Sequence, residues 1–153
     1  DPSIIFYLTE RGYSIEDISN MLNKKSGLLG ISQVSSDLRD VEEAASEGNL
    51  EAQQALDAFA YRVRKYIGAY SANLVRVDAI VFTGGIGEHA IKMRERICAN
   101  LQNIGIHMSK DLNQRIGHGS GIISEPYSPT QILVIPTNEE LQIAIDSYEL
   151  IFG

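Results

Sequence analysis

The spacing of hydrophobic residues predicts that most of the chain is helical. Over residues 50–76, apolar side chains recur every three or four positions, which predicts one long helix. The same period predicts shorter helices that begin near Pro2, Ser14, Ser35 and Thr137. The last of these has an apolar side that we expect to be buried, formed by Leu141, Ala144, Ile145 and Tyr148. Residues 27–31 are apolar without a period and predict a packed loop.

Three short apolar segments predict strands between these helices. Residues 79–83 are apolar or β-branched and predict a strand buried on both faces. Residues 121–124 and 131–135 predict two more strands, and a helical pattern between the first and second runs to about Asn103. Strands and helices mixed along one chain predict a single α/β layer structure in which helices cover a small sheet.

A glycine-rich turn follows the first predicted strand. Gly84, Gly85 and Gly87 separate that strand from the next helix, and this arrangement can present backbone N–H groups to a phosphate. Glycine allows a positive φ and has no Cβ to block a ligand. The alternative is purely structural, because buried strands often lead into helices through glycines without binding anything.

Two nucleotide-binding motifs can be tested against this turn. Residues 85–90 match the dinucleotide fingerprint G-x-G-x-x-A, which also needs a second strand ending in an acidic residue. Asp111 lies at a suitable distance, but residues 107–110 make a poor strand, and Glu88 would repel a pyrophosphate. The motif G-x-x-x-x-G-K-[ST] is absent, which excludes a P-loop kinase but leaves other phosphate-binding turns open.

Asp37 and Arg39 stand at the start of a predicted helix. They can act locally, the carboxylate at the positive end of the helix and the guanidinium as its partner. Alternatively, the planar guanidinium of Arg39 can stack on a nucleobase or pair with a phosphate. The residues alone leave both interpretations open.

Glu139 and Glu140 lie in the first turn of the last predicted helix. Glu140 follows Thr137 by three residues, which predicts a capping box. Glu139 comes after a strand and a Pro136 turn, where its carboxylate can face a cleft and hold Mg²⁺ directly or through water. The alternative for Glu139 is an ordinary interaction with the helix dipole.

Composition and charge exclude several classes of function. The chain has 153 residues and a net charge of −7, which argues against a nucleic-acid partner. No apolar run approaches 18 residues, so we expect no membrane span. The single cysteine, Cys98, is predicted to be a core residue, and the cytoplasm is the expected location. The histidines have no spacing typical of a zinc site.

Five segments taken together resemble the C-terminal part of the acetokinase family, acetate kinase above all. They are residues 22–31 (LNKKSGLLGI), 36–40 (SDLRD), 59–62 with 67–70 (FAYR and IGAY), 81–88 (VFTGGIGE) and 135–141 (IPTNEEL). They occur in the family's order and extend over essentially the whole chain. Five ordered segments are far more specific than any one of them.

The resemblance implies a fold, an activity and cofactors. The implied fold is the ribonuclease H-like or actin-like ATPase fold of acetate and sugar kinases, the heat-shock cognate ATPase and actin, here its C-terminal lobe. The implied activity converts ATP and acetate into acetyl phosphate and ADP with Mg²⁺. Family members are cytoplasmic homodimers.

The resemblance also implies which residues form the site. Asp37, Leu38 and Arg39 fall on the adenosine-contacting segment. Gly85, Ile86, Gly87, Glu88 and His89 fall on a second nucleotide loop, and Glu139 falls on a magnesium-associated glutamate. His89 stands where the family often has asparagine; both side chains can donate a hydrogen bond.

The resemblance places the family's catalytic residues upstream of Asp1. Its phosphate loop, catalytic aspartate and phosphoryl-clamping residues have no counterpart in this chain, and the absence of an initial methionine also hints at a missing upstream part. We therefore expect a nucleotide-binding part, residues 1–153, that is inactive alone. A propionate or butyrate kinase, or a non-catalytic α/β association module, remains an alternative.

Overall fold

The computed structural model describes residues 1–152 and divides into two compact units, Asp1–Arg62 and Val63–Gly153. The first unit is helical. It contains α1 (Ser3–Glu10), α2 (Ile15–Lys24), α3 (Gly27–Ser32), α4 (Leu38–Ser46) and most of α5 (Leu50–Ser71).

Helix starts in the first unit follow the predicted capping chemistry. The Ser14 hydroxyl accepts from the Asp17 N–H at 3.0 Å, and the Asp17 carboxylate accepts from the Ser14 N–H at 3.3 Å, which confirms the capping box. Two predictions were wrong. Residues 27–31 form most of a short helix rather than a loop, and α5 ends at Ser71 rather than near residue 76.

The second unit contains a small mixed sheet. Its elements after α5 are β1 (Ala79–Phe82), α6 (Gly84–His89), α7 (Ile91–Cys98), a 3₁₀ turn (Gln102–Ile104), α8 (Lys110–Ile116), β2 (Gly121–Ile122), β3 (Gln131–Val134) and α9 (Glu139–Phe152). The strand order is β1-β3-β2, with β1 parallel and β2 antiparallel to β3. The parallel register pairs Ala79 with Gln131 and Phe82 with Val134.

The prediction that the first strand is buried on both faces was wrong. Phe82 is buried, but Val81 is 48% exposed. Successive residues of a strand point to opposite faces of the sheet, and the face that carries Val81 is left exposed within residues 1–152. The central strand β3 carries the buried Ile132 and Val134 instead.

The predicted helix between the first two strands is interrupted at Ala90, which ends α6 and begins α7. Met93, Ile97 and Cys98 of α7 are buried as their spacing predicts. Leu101 is also buried but lies beyond the end of α7. The helical spacing of these apolar residues therefore predicted correctly that they are buried, but it predicted wrongly that they belong to one continuous helix.

Two predictions for the last helix were wrong. Asn138, not Thr137, caps α9, since its side-chain oxygen accepts from the Leu141 N–H at 3.1 Å. No residue of α9 is buried, and its predicted core residues Leu141, Ile145 and Tyr148 are exposed. Within residues 1–152, no helix is both long enough and apolar enough to cross a membrane.

Candidate functional site

Two turns meet at the carboxyl ends of the parallel strands β1 and β3. The Ile135 N–H donates to the Phe82 carbonyl at 2.9 Å, so the strands stay paired to the point where each ends. The glycine turn follows β1, and the segment leading to Glu139 follows β3. Ligands of open α/β sheets bind outside the carboxyl ends of the strands. The structure therefore brings the predicted nucleotide loop and the segment leading to the predicted metal-associated Glu139 to the carboxyl ends of β1 and β3.

The Glu88 carboxylate joins these two turns. Its Oε1 atom accepts from the Gly84 N–H at 2.9 Å, from the Thr137 N–H at 3.0 Å and from the Thr137 hydroxyl at 3.2 Å. Hydrogen bonding from the Thr137 N–H, assisted by the Thr137 hydroxyl and the Gly84 N–H, lowers the pKa of Glu88 below its usual range. The carboxylate is thus held as an anion between the turns.

The predicted glycine turn forms the start of α6, and its three glycines serve different purposes. Gly84 has a φ of +69°, which an L side chain rarely adopts. A Cβ at Gly85 would meet no other atom within 4 Å, so a ligand can approach the backbone there. A Cβ at Gly87 would lie 3.0 Å from the Phe82 carbonyl carbon. Glycine at position 87 is therefore required by the close packing of α6 on β1 and not by open space for a ligand.

The side chains of Ile86 and His89 are exposed on the same short helix. The ring centroids of His89 and His118 lie 5.5 Å apart, so the two imidazoles are neighbours at the end of α6. Ile86 is 40% exposed and offers an apolar surface beside the open position at Gly85.

Arg94 hydrogen-bonds to the backbone of α6, and the sequence analysis did not identify it. Its side chain is only 1% exposed. The guanidinium donates to the carbonyls of Gly87 at 2.9 Å and Glu88 at 2.7 Å, to Gly117 at 2.8 Å, and to the Asn113 side-chain oxygen at 2.7 Å. Two of these acceptors lie in the last turn of α6, where carbonyls lack helical partners.

A signal for Arg94 was present in the sequence. Met93, Ile97 and Cys98 form the buried side of α7, and Arg94 lies four residues before Cys98 on that side. A charged residue on an apolar face is buried only when it is satisfied. Burial lowers the pKa of Arg94, and four acceptors offset the loss of water around the cation.

The segment 37–39 belongs to the first unit and forms a local ion pair. The Arg39 Nη2 atom lies 2.6 Å from Asp37 Oδ2, and the Arg39 N–H donates to Asp37 Oδ1 at 2.9 Å. Hydrogen bonds from Arg39 lower the pKa of Asp37 to about 2. Leu38 is buried, while the Arg39 side chain is 87% exposed. Arg39 can therefore reach a ligand, whereas Leu38 can offer one only its backbone.

Glu139 is exposed at the first position of α9. Within residues 1–152, no group of three or more His, Cys, Asp or Glu side chains could hold a metal ion by itself. Mg²⁺ is commonly held by one or two carboxylates together with water and substrate phosphates, and the exposed carboxylate of Glu139 is a donor of that type.

A cavity of about 640 Å³ lies elsewhere, along α7 and α8. Lys92, Arg96, Lys110 and Gln114 are among its lining residues, and none of the predicted site residues lines it. The candidate site therefore rests on the two turns joined by the Glu88 carboxylate, and not on the position of this cavity.

Comparisons with known proteins identify the family of the chain. The model of the acetokinase family matches residues 1–145. An acetate kinase from Heliobacterium modesticaldum is 48% identical over 154 residues, which cover 100% of this chain and 38% of that protein. The crystal structure of Porphyromonas gingivalis acetate kinase superposes with a TM-score of 0.89 at 41% identity, covering 99% of this chain and 38% of that one.

A propionate kinase structure from Francisella tularensis is also similar. It has a TM-score of 0.86 at 41% identity and covers 94% of this chain and 36% of that one. The chain thus spans well under half the length of the proteins that it resembles.

Proposed function

Because the chain belongs to the acetokinase family, we propose that it is the C-terminal, nucleotide-binding part of an acetate kinase. The whole enzyme would transfer the γ-phosphoryl of ATP to acetate, giving acetyl phosphate and ADP. The observation that carries this proposal is the meeting of the glycine turn and the Glu139 segment at the carboxyl ends of β1 and β3. The expected actin-like ATPase fold is that of the acetate kinases whose structures superpose on the chain.

The exposure and chemistry of each predicted site residue indicate which part of the nucleotide it would contact. Arg39, exposed beside Asp37, would flank the base or ribose, with Leu38 contributing backbone. The nucleotide would lie along Gly85 and Ile86, where the backbone is open.

The rest of the turn completes the nucleotide loop. Gly87 keeps the turn close to β1, and His89 would donate a hydrogen bond at the end of the loop. Glu88 belongs to the loop through its backbone, since its carboxylate already accepts hydrogen bonds from two turns.

Glu139 would help to hold Mg²⁺ at the nucleotide phosphates. When bound, the ion neutralises charge that develops on the transferring phosphoryl group. None of the assigned residues is a nucleophile, because acetate supplies the attacking oxygen. The groups that clamp the γ-phosphoryl would come from the rest of the enzyme, so we expect no sustained turnover from this chain alone.

The similarity to a propionate kinase favours one alternative substrate. A longer acyl acceptor would use the same nucleotide side of the cleft, so the assigned residues would keep their roles. The cytoplasmic location and homodimeric state implied by the resemblance are part of the same proposal.

Acetyl phosphate formation tests the proposed function. We expect an enzyme of full family length that carries this chain to form acetyl phosphate from ATP, Mg²⁺ and acetate, and the 153-residue chain alone to form none above background. Comparing kcat/KM for acetate, propionate and butyrate identifies the acyl acceptor. Sustained turnover by the chain alone, or no phosphoryl transfer by the longer enzyme, would overturn the proposal.

Substituting Glu139 tests the metal assignment. In the longer enzyme, Glu139→Ala should raise the Mg²⁺ concentration for half-maximal activity about tenfold, because one anionic ligand is lost. Glu140→Ala is the matched control, since Glu140 is the exposed acid next in the same helical turn. Superimposable Mg²⁺ titrations for the two variants would refute the role of Glu139.

A further inference from the structure

The strongest unassigned feature is the bond network around one carboxylate oxygen. Glu88 and Thr137 are 49 residues apart in sequence, yet Glu88 Oε1 accepts both the N–H and the hydroxyl of Thr137. The same oxygen accepts the Gly84 N–H at the start of α6. Hydrogen bonds to an ionised acceptor are about twice as strong as those between neutral groups.

We infer that Glu88 is a positioning residue whose carboxylate locks the glycine turn to the segment that carries Glu139. This inference rests on the proposed function, because it assigns the two turns to one nucleotide and its metal. The Glu88 carboxylate acts through the Gly84 N–H and the N–H and hydroxyl of Thr137, and it does not itself contact the nucleotide.

The position of Thr137 explains why the lock matters for the metal. Thr137 lies two residues before Glu139, and α9 begins at Glu139. Fixing both the N–H and the hydroxyl of Thr137 therefore fixes the point from which α9 and its first carboxylate project. At the other end of the bridge, the Gly84 N–H fixes the start of the turn beside the open position at Gly85.

The use of Thr137 also accounts for the missing capping box. A threonine three residues before a glutamate ordinarily caps its own helix. Here the Thr137 hydroxyl donates to Glu88, and Asn138 provides the cap for α9. The side chain that the sequence pattern assigns to the helix is used instead to connect two turns.

Variants of Glu88 separate bridging from charge. Glu88→Gln keeps the length and one acceptor oxygen but loses the charge, whereas Glu88→Asp keeps the charge and is one methylene shorter. Glu88→Ala removes both features. If the bridge is the function, Gln retains only part of the effect because its acceptor oxygen is neutral, while Asp resembles Ala because the shorter side chain cannot reach both turns.

Amide hydrogen exchange of the 153-residue chain measures the lock directly. In Glu88→Ala, the Gly84 and Thr137 amides should both exchange at least about tenfold faster than in the unaltered chain. The matched control Glu140→Ala should leave both rates unchanged. If either amide keeps its exchange rate in Glu88→Ala, the bridge is refuted, whatever the protein binds.

The functional readout is made in the longer enzyme. Glu88→Ala should raise both the KM for ATP and the Mg²⁺ concentration for half-maximal activity about tenfold. In Glu88→Gln, both quantities should stay within about threefold of those of the unaltered enzyme. Glu139→Ala should raise the Mg²⁺ concentration for half-maximal activity more than the KM for ATP. A Glu88→Ala enzyme with a raised KM and an unchanged Mg²⁺ requirement would overturn the inference. An unaltered enzyme without acetate kinase activity would instead overturn the proposed function.

Discussion

Replacing Arg94 with alanine should destabilise the second unit more than any surface substitution. The change removes a side chain that is 1% exposed and donates four hydrogen bonds. Three of the acceptors are the backbone carbonyls of Gly87, Glu88 and Gly117, which are part-buried and lose their side-chain donor.

The magnitude follows from the number and type of these bonds. A hydrogen bond to a charged group contributes about 1.5–3 kcal/mol, and a buried acceptor left without a partner costs about 1–3 kcal/mol. The terms are not additive, because the neighbouring groups relax together. Arg94→Ala removes the charge and leaves four neutral acceptors without their donor, so we expect a loss of about 3 kcal/mol.

Denaturant unfolding followed by circular dichroism provides the assay. Arg94→Lys keeps the charge but has one nitrogen in place of a planar fork, so it should recover only part of the loss. Lys92→Ala, an exposed cation on the same helix, is the control and should change the free energy of unfolding by less than about 0.5 kcal/mol. A loss below about 1 kcal/mol in Arg94→Ala would refute the structural role of this residue.

Three further predictions concern single sites. Gly87→Val should lower the melting temperature because its side chain would meet the backbone of Phe82. Gly85→Val should instead leave the melting temperature unchanged and weaken MgADP binding. If the two variants change the melting temperature and MgADP binding equally, the different surroundings of Gly85 and Gly87 are contradicted. The pKa of Asp37 is lowered from 3.8 to about 2 by its arginine partner, so its contribution to stability should be complete above pH 3.8 and disappear as the pH falls towards 2. Stability curves of Asp37→Asn should lack that component, and parallel curves for the two proteins would exclude it. Burial raises the pKa of Cys98 to about 12, so an aromatic disulfide reagent at pH 8 should react with it only after unfolding; rapid reaction in native buffer would show that the thiol is accessible.

Local patterns predicted a cap where its contacts stay within the same helix start. The Ser14 capping box joins residues three positions apart and is confirmed, whereas the Thr137 box was wrong because the Thr137 hydroxyl donates to Glu88. The mixed α/β sheet was also predicted correctly, because the strand segments are short, apolar and separated by helical patterns.

The sequence could not indicate which partner each surface meets. The apolar side of α9 predicts burial, yet Ile145 and Tyr148 are exposed in residues 1–152. Periodicity records that a face is apolar but not what covers it. The same limit applies to β1, where Val81 is exposed although every residue of the strand is apolar.

The sequence pointed to the two turns of the candidate site but not to the contacts that join them. Glycine spacing pointed to the turn, but the Gly87 contact with Phe82 depends on the angle between α6 and β1. The Glu88–Thr137 bridge joins residues far apart in sequence, and no local rule predicts it. The roles of the individual residues towards nucleotide and metal remain predictions.

A titration of the ¹⁵N-labelled chain with MgADP tests the central claim most directly. The account predicts that the amides of residues 84–89 shift and saturate with a single dissociation constant. It also predicts that Gly85→Val weakens this binding while the fold is kept. Saturable shifts confined to other residues, or no shift in residues 84–89 at millimolar MgADP, would contradict the claim that the glycine turn binds the nucleotide.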